Sequence, residues 1–262
     1  MGAETRREKH HMSRYEIVGA DLQAVVCDLE AGEKVIAEAG HLLALTDGLQ
    51  LNTSTGGGFL SGIKRALGGS SFFINEIVAE TAGKAIFASP SPGHIQELDI
   101  TPARGWLCQP NVFLCSDPGI QITAAVTQSF GAGLFGGSGF ILQSLAGEGK
   151  SFIHVGGACL KFDLKDGQSI RIETGSLAAF ESSVTYDIEM VKGLKSILFS
   201  GEGLWFAHLK GPGTVYIQSL ALPKLAHSLM PYLPQNRGPN NGGTLTSMAV
   251  GGILGSLISG DE

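Results

Sequence analysis

The stretches CDLEAGEKVIAEAGHLLALTDG (27–48), LDITPARGWLCQPNVFLCSDPG (98–119) and FDLKDGQSIRIETGSLAAFESS (162–183) follow one pattern. Each opens on an aspartate and an apolar residue: Asp28-Leu29, Asp99-Ile100 and Asp163-Leu164. A turn follows around Gly32, Gly105 and Gly167, then an alternating stretch, then a second turn at Gly40, Pro110 and Gly175. An apolar strand closes each copy near Asp47, Asp117 and Ser182. A second set of matches lies downstream: SSFFINEIVAETAGKAIFAS (70–89), SGFILQSLAGEGKSFIHV (138–155) and EGLWFAHLKGPGTVYIQS (202–219). Each reads as apolar strand, glycine turn, apolar strand. The turns at Gly83, Gly149 and Gly213 are 66 and 64 residues apart. A fixed period of this size marks repeated supersecondary units.

Val, Ile and Phe at the strand positions suit a pleated, packed surface. Phe72-Phe73-Ile74, Phe140-Ile141-Leu142 and Leu204-Trp205-Phe206 are apolar at both parities. Such strands are covered on both faces. The pattern predicts an all-β fold: β-sandwich modules from three internal repeats (about 22–93, 94–157 and 158–222) in a pseudo-threefold arrangement. Residues 1–14 are expected to form a flexible arm. Residues 223–262 are expected to be a linker and a short apolar tail.

Composition agrees with this class. The 262 residues include 38 glycines and 10 prolines, and only 16% are charged. That excludes a coiled coil and a disordered chain. The net charge is −6; the first 14 residues carry +2, so the remainder carries −8. A nucleic-acid binder usually offsets phosphate repulsion with a basic face, and this balance argues against one.

Cys27, Cys108, Cys115 and Cys159 are scattered, without a CxxC pair. They read as small buried hydrophobes rather than zinc ligands or a disulfide framework. No cofactor and no metal is expected. His41, His94, His154, His208 and His227 form no HxH or HExxH pattern, and each strand histidine reads as isolated. Asp28, Asp99 and Asp163 read as strand-end residues bonding turn backbone. Ser138 lies between Gly137 and Gly139 without the helix pattern of a nucleophile elbow. No catalytic residues are assigned.

Between the halves of each copy lies a glycine-rich segment: TGGGFLSGIKRALGGS (55–70), FGAGLFGGSG (130–139) and VKGLKSILFSGEG (191–203). If the copies share one orientation, Phe59, Leu60, Ile63, Leu134, Phe135, Leu194 and Leu198 fall on one rim. An apolar rim with a few cations is expected to contact a membrane surface or a protein partner. TLTSMAVGGILGSLISG (244–260) predicts a short apolar helix, about 24 Å long at 1.5 Å per residue and too short for the roughly 30 Å hydrocarbon core.

Taken together, AEAGHLLALTDGLQLNT (37–53), GGGFLSGIKRALGG (56–69), GSGFILQSLAGEGKSFIHV (137–155) and GEGLWFAHLKGPGTVYIQSL (201–220) are specific. Over residues 15–222 the chain resembles bacterial proteins of unknown function related to the fungal altered-inheritance-of-mitochondria (mitochondrial biogenesis) protein. The resemblance implies a β fold like that of the trp RNA-binding attenuation protein, repeated within one chain. It also implies homo-oligomers, with a trimer expected. It carries no catalytic residues, and its mitochondrial members are tied to inner-membrane organisation. Glu4 and Glu8 break a transit-peptide pattern, so a cytoplasmic location with peripheral membrane contact is expected. The expected function is a non-enzymatic oligomeric β-scaffold. The alternatives are a cupin-like binder of a metal or small molecule, from the glycine-turn strands, and an RNA-binding protein, by fold analogy.

Overall fold

The computed structural model describes residues 14–52, 74–126, 141–190 and 205–232. Among them the fold is nearly all β. The first copy supplies β1 (Arg14–Val18), β2 (Ala24–Leu29), β3 (Lys34–Glu38), β4 (Leu42–Leu45), β5 (Leu49–Asn52), β6 (Ile74–Ala79) and β7 (Gly83–Ala88). The second supplies β8 (Gly93–Ile100), β9 (Trp106–Cys108), β10 (Phe113–Ser116), β11 (Ile120–Val126), β12 (Ile141–Gly147) and β13 (Gly149–Gly156). The third supplies β14 (Cys159–Leu164), β15 (Ser169–Glu173), β16 (Leu177–Glu181), β17 (Thr185–Met190), β18 (Trp205–Lys210) and β19 (Gly213–Gln218). A single described α-helix, α1 (Leu222–Leu229), follows.

The order of pairing recurs in all three copies. β2, β8 and β14 pair antiparallel with β7, β13 and β19, with Leu29, Ile100 and Leu164 opposite Gly83, Gly149 and Gly213. The same second strands then pair with β4, β10 and β16. Each of those pairings is interrupted by one irregularity, at Leu43, Leu114 and Ala178. A bulge there sets two residues against one and turns consecutive side chains to the same face. β3, β9 and β15 pair with β6, β12 and β18, which pair in turn with β5, β11 and β17.

Neighbouring copies share sheets. β3 pairs with β10, and β9 pairs with β16. The result is four sheets, ordered β1-β2-β7-β4, β5-β6-β3-β10-β13-β8, β11-β12-β9-β16-β19-β14 and β15-β18-β17. Strand pairing therefore joins the copies in a row. Among the described residues β15 and β4 do not pair, so pairing does not close a threefold ring within one chain.

Three apolar cores separate the four sheets. Val25, Cys27 and Phe87 of the first sheet meet Val35, Ile77, Leu114 and Phe152 of the second. The other face of the second sheet, with Phe113, Ile153 and Leu98, meets Trp106, Leu145 and Tyr216 of the third. The third sheet turns Leu142, Phe180 and Val215 toward Ile172, Ala207 and Leu209 of the fourth. Both inner sheets are thus buried on both faces, which is why their strands carry apolar residues at both parities. Tyr15 of β1 packs on Phe152 with ring centroids 4.5 Å apart, and Trp106 stacks on Tyr216 at 5.5 Å.

Helix α1 occupies positions that read as the start of a linker. Pro223 takes the first helical turn, where its missing N–H costs no hydrogen bond. Leu225 N donates to Ala221 O at 3.0 Å. Two of the leading aspartates also differ from expectation, since their hydrogen-bond partners are cross-strand rather than turn backbone. Asp28 bonds Lys84, and Asp163 accepts from Thr214 Oγ1 at 2.9 Å.

Leu114 is fully buried between the first and second sheets. Leu114→Ala is expected to destabilise the fold by about 3 kcal/mol, from lost burial and the cavity left behind. Urea denaturation followed by far-UV circular dichroism checks it.

Candidate functional site

Among the described residues the four sheets have eight edges, and three of these are one equivalent strand in every copy. β5, β11 and β17 are sheet edges in all three. β8 and β14 are edges too, and β1 covers only the first-copy equivalent, β2. Two edges are different in kind. Among the described residues β4 is open, whereas its equivalents β10 and β16 are flanked by β3 and β9. Among the same residues β15 is open on the side where β3 and β9 hold β10 and β16.

Side-chain burial follows the same division. Leu43 of β4 is 65% exposed, whereas Leu114 and Ala178 at the equivalent bulge are 0% exposed. Ala44 is exposed and Leu42 and Leu45 are half-buried, yet every residue of β10 is buried. Fully burying a leucine is worth ~1.5–3 kcal/mol, so the single chain forgoes much of that at Leu43. The far end shows a like deficit. Leu160 and Phe162 of β14 are 49% and 39% exposed, whereas Val25 and Cys27 at the matching places in β2 are 0% exposed. An uncharged strand edge with unpaired N–H and C=O groups is a template for another strand. β4, LLAL, carries no charge or proline that would blunt it.

The joint between the first two copies also holds a polar group of side chains that the sequence reading treats as separate. His41 lies in the 3-10 turn Ala39–His41, and its Nδ1–H donates to Phe113 O at 2.8 Å. Glu38 Oε2 lies 3.6 Å from that nitrogen and has no hydrogen-bond partner among the described residues. Burial pushes the Glu38 carboxyl up to about 7. His154 N donates to Val112 O at 2.7 Å, and the His154 Nε2 is buried without a partner. Burial first, then the neighbouring His41, hold His154 down at about 4, against a raising hydrogen bond to Ser91 backbone. Gly93 makes room for this ring; a Cβ there would lie 2.6 Å from His154 Nε2 and 2.4 Å from Val155 O. Glu38 and His41 lie three residues apart at the end of β3, whereas His154 comes from β13 of the next copy, so no spacing in the chain announces the three together.

A second buried polar contact ties β1 to the second copy. Tyr15 OH donates to Asp117 Oδ1 at 2.8 Å, and Asp117 Oδ2 accepts from Lys150 N at 2.7 Å. Burial and the nearby Asp117 push the Cys27 thiol up to about 12, so it is an inert thiol at neutral pH. Among the described residues, no cluster of three or more His, Cys, Asp or Glu side chains is placed to hold a metal. No helix among them is long and apolar enough to cross a membrane.

Phe59, Leu60, Ile63, Leu134, Phe135, Leu194 and Leu198 lie outside the described residues, as does the apolar stretch 244–260. Their segments connect equivalent strands: β5 to β6, β11 to β12 and β17 to β18.

Glu38 and His154 act on stability with opposite signs. A carboxyl raised from 4.5 to about 7 stays protonated in the folded state, so stability falls as pH rises from about 4.5 to about 7 and is level above. A histidine lowered from 6.5 to about 4 loses stability as pH falls through the same range. The two slopes largely cancel in the wild type. Relative to it, Glu38→Gln is expected to gain stability as pH rises between about 4.5 and 7. His154→Gln should show the reverse difference, and denaturation midpoints across pH 4–8 would reveal both.

The comparisons with known proteins agree with this architecture. The family described as "Mitochondrial biogenesis AIM24" matches residues 15–220. An uncharacterized protein of Streptococcus pyogenes serotype M6 is 30% identical over 219 residues, covering 80% of this chain and 86% of its own length. A crystal structure of a Streptococcus pyogenes protein superposes with a TM-score of 0.69 at 28% identity, covering 84% of this chain and all of that one. On the match across nearly all of its β domain, this chain belongs to the mitochondrial biogenesis AIM24 family.

Proposed function

We propose that this protein is a non-catalytic scaffold that works as a homo-oligomer. One observation carries the reading. β4 and β15 are the edges whose counterparts elsewhere in the fold are paired and buried. The two outer sheets are also complementary. The first contains the β2-β7-β4 half of a six-stranded sheet, and the fourth is the β15-β18-β17 half. Each inner sheet contains one half of each kind.

The trimer expected from the family resemblance is the stoichiometry we assign. The buried polar groups at the first joint act on stability rather than on a substrate. Burial raises Glu38 to about 7, which keeps its carboxyl neutral below that pH, and lowers His154, which keeps its ring neutral near pH 7.

Native mass spectrometry of the untagged full chain is the direct test. The expected result is one species at three times the subunit mass of 27.3 kDa. A monomer persisting at tens of micromolar would overturn the scaffold reading. Additional mass from a metal or small molecule on every subunit would favour a binding protein instead.

A further inference from the structure

We propose that β15 of one chain pairs antiparallel with β4 of the next, continuing between molecules the joints already made within one. This inference rests on the scaffold reading above and names the surface and register by which the copies meet.

The register follows from the two internal joints. Ala37, Cys108 and Ile172 are each nine residues beyond the leading aspartates Asp28, Asp99 and Asp163. Ala44, Cys115 and Ala179 are each sixteen beyond them. Within the chain Ala37 lies opposite Cys115, and Cys108 opposite Ala179. The remaining members of the two sets, Ile172 and Ala44, have no such partner among the described residues. They are the pair the intermolecular joint supplies. Arg171 then lies opposite Leu45, as Ile36 lies opposite Ser116 and Leu107 opposite Phe180.

Three features fit this partner. The bulge that shapes β10 and β16 for their joints is already present in β4, between Leu42 and Ala44. The side chains left exposed at one end, Leu43 and half-buried Ile86, match Leu114 and Phe152, which the first joint buries. Those exposed at the other end, Leu160 and Phe162, lie on the face of the third sheet that packs on the fourth, the sheet a following first sheet would extend. The contact uses different surfaces on the two chains. It is therefore heterologous, and it closes only as a ring. Two β4 strands pairing with each other would leave both β15 edges open.

The test is a cysteine pair. At the second joint Gln109 N donates to Ala178 O at 2.9 Å, which makes Cys108–Ala179 a non-hydrogen-bonded pair. Such pairs bring Cα atoms to about 4.5 Å, within disulfide range. The double variant Ala44→Cys, Ile172→Cys should form covalent dimers and trimers on mild oxidation, seen by non-reducing gel. With half-buried Cys159 replaced by serine throughout, the parent and each single variant should not, because Cys27, Cys108 and Cys115 are buried. Cross-linking by Ala44→Cys alone would overturn the proposal in favour of a symmetric β4 contact. An oligomer in native mass spectrometry without the cross-link would overturn this joint while leaving the scaffold reading intact. A monomer in both would overturn both.

Leu43→Arg provides an independent readout. Leu43 is exposed in the single chain, so the fold should be kept, with an unchanged far-UV spectrum. Monomer should become the main species. Leu51→Arg, on the β5 edge that is open in every copy, should leave assembly unchanged. Equal assembly by both variants would overturn the proposal.

Discussion

Two backbone pairings between copies, Ala37 with Cys115 and Cys108 with Ala179, are what the rest of the β domain depends on. Without them each copy would be two three-stranded sheets with a narrow core. With them the two inner sheets reach six strands and are covered on both faces. Phe113 and Leu114 show how this works at the scale of one bond. Strand alternation directs Phe113 into the core it shares with the third sheet and Leu114 into the core shared with the first, and the bulge keeps Cys115 on the same side as Leu114. One short strand thereby serves two cores.

The joints also concentrate the polar costs of the fold. Buried polar atoms without partners cost free energy, and among the described residues Glu38 Oε2, Gln143 Nε2, His154 Nε2, Ser116 Oγ and Ser151 Oγ are of that kind. At the place matching Glu38 the second copy has Gln109, whose Nε2 donates to Thr174 O. The third has Glu173, held by Lys224 of α1 at 2.5 Å and accepting from Ser176 N at 3.1 Å. One position carries three chemistries: neutral acid, amide and ion-paired carboxylate. A buried joint favours the first two, and an open edge tolerates the third.

Much of the fold is legible in the sequence because the strand pattern is local. The alternation of β2 and β6, both buried at every second residue, reads directly from AVVCDL and INEIVA. The glycine turns align because Gly32 and Gly167 both take left-handed backbone, at φ 88° and 76°. The joints were not legible. LLAL, FLCS and LAAF look alike, and nothing within them says that the first is open. Openness depends on a strand far away in the chain. The same distance hides the contact of His41 and Glu38 with the second copy. The helix at Leu222–Leu229 was obscured by Pro223, which reads as a breaker but sits where a helix accepts it. The apolar rim residues of the glycine-rich segments fall outside the described residues, so their reading stands as an expectation.

Placing three copies on one polypeptide changes how the protein responds to dilution. The joints β3–β10 and β9–β16 form within one molecule, at an effective concentration set by a short stretch of chain. Lowering the protein concentration leaves them intact. Contacts between molecules obey mass action and weaken on dilution. A single-copy relative of this fold would depend on concentration at every joint. Here two of the three edges of that type are removed from that dependence by covalent connection. The protein can therefore keep its layered cores when scarce, and let abundance govern only its outermost strands.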